Sequence, residues 1–404
     1  MLTTALVVFA SLVLAVWIVR HLLVTWTFRH DPVLGPDTFA EAPDPAPLVS
    51  VIVPARNEED NIGTCLESLL AQDYTHFEIL VIDDRSEDRT AEIVRRLAER
   101  DDRVRLLEND HVPADWTGKN YVLDAAARQA RGDLLLFVDA DTRHAPSGVR
   151  QAVTYALTNR LDMFSLIIPI DNVTFWEKTL QPLAGSILAM HFPLWMVNNP
   201  RSRVAFGNGQ YILFRRDAYQ RIAGHQSVQG ELLEDIAMAR KVKQAGLSLR
   251  VAYGPGIASS RMYTCFSQIV HGWARIYFAG MNRSLVRLLL MVAMMLFFSI
   301  APYLLLLGAL AGLVISGSGA TLWALLAVSA ATVVAMNTCT ARLYGAFRAP
   351  RLYVLLHLVA SGVVLVIELL AISMLYSDRG LVWKGVRYAT RVRPSRPAPH
   401  PDRQ

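Results

Sequence analysis

Residues 134–141, LLLFVDAD, join five consecutive apolar side chains to two aspartates. A wholly apolar run of this length is typical of a strand buried on both faces of a parallel sheet. Residues 119–130 just before it have helical spacing, so the two elements form one α/β unit. Because ligands bind at the carboxyl ends of the strands in such sheets, Asp139 and Asp141 mark a candidate site.

Shorter runs of the same kind precede this unit. Strands are predicted at residues 48–53, 78–82 and 104–107, and helices at 61–71 and 89–98. The alternation predicts an α/β, Rossmann-like domain whose mostly parallel sheet is covered by helices on both faces. Polar motifs follow three of the four predicted strands, at 54–59, 83–88 and 139–141, which indicates a binding site along one edge of the sheet.

The aspartates in these motifs have chemical and structural interpretations. Asp139 and Asp141 can hold a divalent cation that neutralises a diphosphate, although a D-x-D triplet is common. Asp83 and Asp84 can accept hydrogen bonds from a base or a ribose. Asp88 is placed to cap the following helix, which is the structural interpretation of this cluster.

Other charged residues lie at the ends of predicted helices. Lys119 suits a phosphate, but it belongs to no Walker A motif. Glu234 and Asp235 begin an amphipathic helix, where acids are favoured by the helix dipole; the alternative is a general base that contributes ~10²–10⁴-fold in rate. A turn before the next predicted strand consists of Gly207, Asn208, Gly209 and Gln210. It is either a plain turn or a backbone that approaches a sugar closely.

Composition argues against a purely soluble or a disordered chain, because 53% of the 404 residues are hydrophobic and 19% are charged. The net charge of +5 is unevenly spread: residues 25–287 carry 29 Lys and Arg against 32 Asp and Glu, and residues 288–404 carry 10 against 3. The middle segment is therefore slightly acidic. This argues against a nucleic-acid partner and points to membrane topology.

The long apolar runs predict a multi-pass membrane protein. Residues 1–24 are predicted to form an uncleaved transmembrane anchor, because no basic region precedes the apolar run and no small-residue cleavage site follows it. Residues 288–377 form a C-terminal membrane region, with two spans divided by the turn at 316–319 and a third segment that spans or re-enters. The other predicted segments are a linker at 25–47, the α/β domain at 48–287 and a basic, Pro- and Arg-rich tail at 378–404.

The distribution of basic residues predicts a cytoplasmic middle domain at the cell membrane. Arg20 and Arg29 follow the first span, and Arg342 and Arg348 follow the third. A further full span would place the basic tail outside, against the same rule. Glu368 within that last apolar run favours a re-entrant segment and a cytoplasmic tail.

Residues 174–197 are apolar and aromatic, with Trp176 and Trp195 near the two ends. Pro182 and Pro193 argue against one straight span. The segment is either part of the core or an amphipathic element at the bilayer interface.

Four motifs together resemble the inverting family 2 glycosyltransferases, whose fold is called GT-A. They occur in that family's order and approximate spacing over about residues 48–280: VSVIVPARNEEDNIGTCLESLLAQDY (49–74), EILVIDDRSEDRT (78–90), WTGKNYVLDAAARQARGDLLLFVDADT (116–142) and ELLEDIAMARKVKQAGL (231–247). WTGK, RMYTCFSQIVHGWARIYFAG (261–280) and the flanking apolar spans resemble the lipid-directed members, which include hopene-associated, carotenoid-acid and ceramide glycosyltransferases.

The resemblance implies a nucleotide-sugar donor, UDP-linked, and a lipid acceptor. The residues it assigns to the donor nucleotide are Pro54, Arg56, Glu58, Asp83, Asp84, Lys119 and Asp139. Asp141, with Asp139, would bind Mg²⁺ or Mn²⁺. Asp235, beside Glu234, would deprotonate the acceptor, whose attack inverts the anomeric carbon. The alternatives are sugar transfer to polyprenyl phosphate and a catalytically silent membrane scaffold.

The chain departs from the Q-x-x-R-W motif that processive and ceramide-type members usually carry. Gln268 and Trp273 are one residue too far apart, and Gly272 replaces the arginine. In the resemblance Trp273 would close over the acceptor and sugar pocket, with His271 or Arg275 near the diphosphate. The departure weakens a processive interpretation.

Overall fold

The computed structural model describes residues 1–317, 319–376, 381–383 and 386–388. Most of the tail predicted at 378–404 thus lies outside the described residues. The middle domain is built on a seven-stranded sheet. Its strands are β1 (Val49–Ala55), β2 (Phe77–Asp84), β3 (Val104–Asn109), β4 (Leu134–Val138), β6 (Met163–Ile167), β7 (Tyr211–Arg215) and β8 (Leu249–Tyr253). Two smaller pairs are β5 (Thr142–His144) with β9 (Ala258–Ser260), and β10 (Leu381–Trp383) with β11 (Val386–Tyr388).

The strand order of the large sheet is β3-β2-β1-β4-β7-β6-β8. Strand β7 runs antiparallel to both of its neighbours, and every other neighbouring pair is parallel. The prediction of a mostly parallel α/β sheet is confirmed. In the β4–β7 ladder Val138 lies opposite Tyr211, so the exit of β4 and the entry of β7 share one edge.

Helices cover both faces of this sheet. They are α2 (Ile62–Leu70), α3 (Thr90–Ala98), α4 (Gly118–Gln129), α5 (Gly148–Thr158), α8 (Arg216–Arg221), α9 (Glu234–Gln244) and the 3₁₀ segment Gly224–Val228. Successive strand residues point to opposite faces. Val51 packs in a buried cluster with Leu66 of α2, whereas Ile52 belongs to a second cluster with Val122 of α4. Both faces are therefore buried, which is why these strands are apolar without alternation.

The cap predicted at Asp88 is displaced by one residue, because the N-cap is Arg89 and its side chain makes no capping bond. The helix begins at Thr90 rather than at Arg89, and Asp88 Oδ1 accepts from the Thr90 backbone N–H at 3.0 Å. Its Oδ2 accepts from the Glu59 N–H at 3.0 Å, so Asp88 also ties the loop after β1 to the start of α3.

Apolar helices flank the sheet domain at both ends of the chain. They are α1 (Leu2–His30), α6 (Phe175–His191), α7 (Leu194–Val197), α10 (Phe266–Gly280), α11 (Leu285–Met294), the π-helical segment Met295–Ile300, α12 (Ala301–Ser316), α13 (Ala320–Ala346), the 3₁₀ segment Arg351–Leu356 and α14 (His357–Ser373). Within the described residues five stretches are long and apolar enough to cross a membrane: Leu2–His30, Phe175–Val197, Leu285–Ser316, Ala320–Ala346 and Arg351–Ser373.

Two of these stretches refine the sequence-based picture. The last one contains a continuous helix, α14, over His357–Ser373. The stretch Phe175–Val197 is broken at Phe192 and Pro193 into α6 and α7. Half of it is buried, and Leu183 packs in one cluster with Trp273 of α10 and Val364 of α14. The helix α6 thus joins the sheet domain to the C-terminal helices.

Candidate functional site

A cavity of about 1700 Å³ lies at the edge of the sheet where β4 ends and β7 begins. All the site residues predicted from the sequence line this cavity except Asp83, Gly207 and His271. Residues as far apart in the chain as Pro54 and Arg275 are therefore brought to one place. The cavity also extends along apolar helices outside the sheet domain, so it has a polar and an apolar part.

The centre of the polar part is a lysine held between two carboxylates. Lys119 Nζ, at the start of α4, lies 2.8 Å from Asp139 Oδ1 and 2.7 Å from Glu234 Oε1. Burial opposes the charge on Lys119, but the two carboxylates outweigh it and raise the pKa of Lys119 above its usual value. The lysine therefore stays protonated, and it ties the exit of β4 to the start of α9.

Local hydrogen bonds fix the position of Lys119. The Thr117 side chain caps α4 by accepting from the Asn120 backbone N–H at 3.3 Å. The Asn120 side chain is fully buried, and its Nδ2 donates to the carbonyls of Val228, Gln229 and Glu231 at 2.7, 3.2 and 3.0 Å. Because these carbonyls immediately precede α9, Asn120 sets the start of α4 against the segment that carries Glu234.

Asp235 lies beside this ion-pair cluster in the first turn of α9. Its Oδ2 accepts from the Gly209 backbone N–H at 2.9 Å, and its Oδ1 accepts from the Ile236 N–H at 2.7 Å. Burial and then the neighbouring charge of Glu234 raise the pKa of Asp235 to about 7, against the opposing effects of Lys119 and the two N–H groups. A carboxylate with a pKa near neutrality is suited to accept a proton at physiological pH.

The turn at residues 207–210 is shaped by this contact with Asp235. Ser165 Oγ accepts from the Asn208 N–H at 2.8 Å, and Asn208 Nδ2 donates to the Leu166 carbonyl at 2.8 Å. A Cβ on Gly209 would lie 3.3 Å from Asp235 Oδ2, which is tighter than most real contacts. Gly207 packs against the Asp235 carbonyl, behind the cavity wall. The glycines therefore allow the backbone to approach the carboxylate of Asp235.

Asp141 belongs to a second group on the cavity wall. Its Oδ1 accepts from the Ser260 hydroxyl at 3.3 Å, and Gln210 Nε2 donates to the same hydroxyl at 2.7 Å. Asp139 and Asp141 thus both line the cavity, and Asp139 is paired with Lys119. Within the described part of the chain, no group of three or more His, Cys, Asp or Glu side chains is gathered as a metal site.

The loops after β1 and β2 form the opposite end of the polar part. Asp84 is buried, and its carboxylate lies 3.4 Å from Arg56 and 2.9 Å from Arg85. Asn109 Nδ2 donates to Asp84 Oδ1 at 3.1 Å. Asp83 lies below the surface, where its Oδ2 accepts from the Ser86 N–H at 3.1 Å. Of the two adjacent aspartates, the structure brings Asp84 to the cavity.

Helix α10 contributes Gln268, Trp273 and Arg275 to the cavity, whereas His271 is exposed and donates to the Ser267 carbonyl of its own helix. The Trp273 ring is buried, and its Nε1 has no hydrogen-bond partner among the described residues. The structure explains the glycine at position 272, because a Cβ there would lie 2.3 Å from Cζ of Tyr263. The ring of Tyr263 fills the space that an arginine would need.

Ser260 and Arg261 were not predicted as site residues. Ser260 is the last residue of β9 and Arg261 follows it, and both contact site residues. Arg261 lines the cavity and pairs with the buried Glu177 of α6 at 3.2 Å. These two residues follow a strand of only three residues, so no hydrophobic pattern drew attention to them. The polar pair Ser259-Ser260 before a basic residue was the available signal.

The apolar part of the cavity is formed by helices that the sequence assigned to the membrane. Val16, Leu23 and Phe28 of α1 form one wall. The residues opposite include Pro193 and Trp195 around α7, Phe298 of the π-helical segment, and Leu343 and Phe347 at the end of α13. The cavity therefore runs without interruption from the carboxylates to these helices.

The strand order and the carboxylates at one edge of the sheet define a GT-A fold of the glycosyltransferase type. A mannosyltransferase from Pyrobaculum calidifontis, solved in complex with GDP-Man and Mn²⁺, has the same fold with a TM-score of 0.51 and 21% identity. The likeness covers 91% of this chain and 99% of that one. Residues 50–223 match the family model described as glycosyl transferase family 2. This segment of the chain is therefore similar to that family.

Relatives among characterised proteins support the same family. The 4,4'-diaponeurosporenoate glycosyltransferase of Staphylococcus haemolyticus is 27% identical over 266 residues, which cover 60% of this chain and 64% of that protein. The protein of the same name from Staphylococcus aureus is 24% identical over 262 residues, with 63% and 68% covered. The first of these matches spans less than two thirds of its relative's length.

Proposed function

We propose that the protein is a membrane-bound, inverting glycosyltransferase that moves a sugar from a UDP-linked donor to a lipid acceptor. The observation that carries this proposal is the single cavity that joins the Lys119–Glu234 cluster to apolar walls on α1 and α7. A soluble acceptor would need no such apolar extension. The names of the staphylococcal relatives, which refer to the acid of a lipid-like carotenoid, support the same acceptor class.

In this proposal the donor nucleotide binds where the loops after β1 and β2 meet. Pro54, Arg56, Glu58 and Asp84 line that end of the cavity, and the buried Asp83 supports the loop from below. The base and ribose are hydrogen-bonded there. The diphosphate lies towards Lys119, whose positive charge attracts the phosphate oxygens.

The donor set at the exit of β4 fits a divalent cation. Asp139 and Asp141 supply carboxylate oxygens, the ligands that Mg²⁺ and Mn²⁺ prefer, and Mg²⁺ is commonly held by one or two carboxylates together with substrate phosphates. A site with two protein carboxylates therefore needs no third protein ligand. When bound, the metal ion stabilises negative charge on the leaving diphosphate.

Asp235 is the proposed general base. Its carboxylate takes the proton of the acceptor hydroxyl or carboxyl group as the acceptor oxygen attacks the anomeric carbon. The bond from that carbon to the diphosphate breaks at the same time, and UDP leaves with the electron pair, so one displacement inverts the configuration. The N–H groups of Gly209 and Ile236 hold the carboxylate in place, and the protonated Lys119 keeps Glu234 from drawing that proton away.

The membrane helices orient this reaction towards the cytoplasmic leaflet. Arg29 on α1 and Arg348 after α13 lie at the domain ends of their helices and follow the positive-inside rule. The proposed acceptor enters through the apolar part of the cavity, beside α7. The aromatic Trp195 there is half-exposed, as expected at headgroup level.

The proposal is tested by UDP release from a panel of UDP-sugars in membranes that contain the full chain. Wild type is compared with Asp235→Asn and with Asp102→Asn, which changes an exposed carboxylate in the turn before β3. We expect release and glycolipid formation with wild type and with Asp102→Asn, and a loss of ~10²–10⁴-fold with Asp235→Asn. Absence of transfer from every nucleotide sugar would contradict the enzymatic proposal. Equal transfer to short water-soluble acceptors would contradict the lipid acceptor.

A further inference from the structure

Arg20 of α1 lies in the wall of the apolar part of the cavity. Its guanidinium carbon lies 4.5 Å from the centroid of the Trp17 ring. Its Nε is buried and has no hydrogen-bond partner among the described residues. A buried N–H group without a partner is costly, so the place of this Nε in a cavity wall indicates a ligand.

Within the described part of the chain, no acidic side chain forms an ion pair with Arg20. The helices α1, α11, α12 and α13 contain no Asp or Glu, and Glu368 of α14 forms no ion pair with Arg20. Apart from Glu368, the titratable groups on α1, α13 and α14 are basic or neutral. They include His21 and Arg342, which lie 3.4 Å apart, the buried Cys339, and His357 at the start of α14. The surroundings therefore attract an anion.

The position of Arg20 along α1 indicates where that anion would lie. The apolar run at residues 2–19 is about 27 Å long at 1.5 Å per residue, close to the thickness of a bilayer core. Arg20 follows directly, at the boundary nearest the sheet domain. From there α1 continues ten residues to His30, about 15 Å, along the same cavity. Arg20 thus lies at headgroup level, between the bilayer and the carboxylate cluster.

An arginine that only follows the positive-inside rule would extend to water or to surrounding headgroups. Arg29 does this, since it is exposed at the end of α1 and does not line the cavity. Arg20 instead turns inward over Trp17. The comparison of two arginines on one helix separates a topological role from a binding role.

We infer that Arg20 binds the anionic group, phosphate or carboxylate, of an acidic lipid that occupies the apolar part of the cavity. The anion pairs with the guanidinium, and the hydrocarbon chain lies along Val16, Leu23 and the aromatic residues opposite. This inference rests on the proposed lipid acceptor, because it assigns to that acceptor an acidic polar end. It narrows the acceptor class from any lipid to anionic ones.

The test measures binding without donor, so it can fail separately from sugar transfer. The full chain is placed in phosphatidylcholine nanodiscs, and native mass spectrometry follows the retention of three probes: phosphatidic acid, palmitic acid and inorganic phosphate. The variants are Arg20→Gln, Arg20→Lys and, as the control, Arg29→Gln. We expect wild type and Arg29→Gln to retain an acidic lipid over phosphatidylcholine, Arg20→Lys to retain part of this preference, and Arg20→Gln to bind about tenfold more weakly.

Preference for phosphatidic acid would assign a phosphate, and preference for palmitic acid a carboxylate; either supports the inference. Equal binding of inorganic phosphate and the acidic lipids would overturn the lipid assignment, and unchanged retention in Arg20→Gln would overturn the role of Arg20. If Arg20→Gln does not fold, the test rests on the wild-type protein alone. Wild type that retains phosphatidylcholine as well as it retains the acidic lipids would contradict the inference.

Discussion

The backbone N–H of Gly209 donates a 2.9 Å hydrogen bond to Oδ2 of Asp235, and no side chain separates the two residues. In Gly209→Ala the new methyl group would lie 3.3 Å from that oxygen and from Glu234 Oε1. We expect transfer to slow by about 10- to 100-fold, because a small displacement of the base misaligns it with the acceptor. Gly63→Ala is the matched control, since its methyl group would meet only Ile93 at an ordinary 3.6 Å. Wild-type kcat in Gly209→Ala would refute this.

The raised pKa of Asp235 predicts the pH dependence of the reaction. A base must be deprotonated before it accepts a proton, so kcat/KM should rise with pH through about 7 and then level off. Glu234 raises the pKa of Asp235 by its negative charge, and Glu234→Gln should therefore move the inflection to lower pH. The inflection is measured from initial rates of UDP release between about pH 5 and about pH 9, a range that brackets it. A profile without an inflection in the wild type would exclude Asp235 as the base.

Lys119 is predicted to act on both the donor and the base. Its charge lowers the pKa of Asp235 and lies next to the proposed diphosphate position. Lys119→Met should raise KM for the donor and also move the inflection of kcat/KM to higher pH. Lys241→Met, on the exposed last turn of α9, should change neither quantity. A loss of protein stability with unchanged KM and unchanged pH profile would indicate a structural role only.

The close packing of Gly272 against Tyr263 predicts that α10 does not tolerate a side chain at this position. A methyl group in Gly272→Ala would lie 2.3 Å from the Tyr263 ring, and we expect a loss of about 1–3 kcal/mol in the free energy of unfolding. In Gly280→Ala on the same helix the methyl group would meet Leu188 at 3.7 Å and Leu233 at 3.9 Å, both ordinary contacts, and this variant serves as the control. Thermal unfolding in detergent compares them. Equal melting temperatures would show that Tyr263 moves aside freely.

Removal of divalent cations is expected to stop transfer. Chelation should reduce the rate to background, and Mg²⁺ or Mn²⁺ should restore it, because Asp139 and Asp141 supply only two protein carboxylates to the proposed site. Asp141→Asn should raise the metal concentration needed for half-maximal rate. Full activity after exhaustive chelation would remove the metal from the proposal.

Much of the site could be predicted from the sequence, because polar motifs that follow buried strands meet at one edge of a parallel sheet. This placed Asp84, Asp139 and Asp141 together, and the structure agrees. The direction of β7 could not be predicted, since a run of four apolar residues does not encode whether its neighbours are parallel. Adjacent aspartates also gave no means of distinguishing the buried Asp83 from Asp84, which lines the cavity.

The ion pair between Lys119 and Glu234 could not be predicted from the sequence either. These residues are far apart in sequence, and the contact depends on three carbonyls that accept hydrogen bonds from Asn120. Side-chain amides of this kind have no sequence signature. The inward turn of Arg20 was hidden for a different reason, because a basic residue after an apolar span is fully explained by topology until its surroundings are seen.

The antiparallel pairing of β4 and β7 has a consequence for the reaction itself. Since Val138 is fixed opposite Tyr211 by the backbone ladder, Asp139 on the donor side and Gly209 on the base side are held at a set separation by the sheet. In the proposed reaction, the donor side and the base side therefore need no domain closure to meet. Their alignment is established when the protein folds, so the entropy of bringing them together is lost before any substrate arrives.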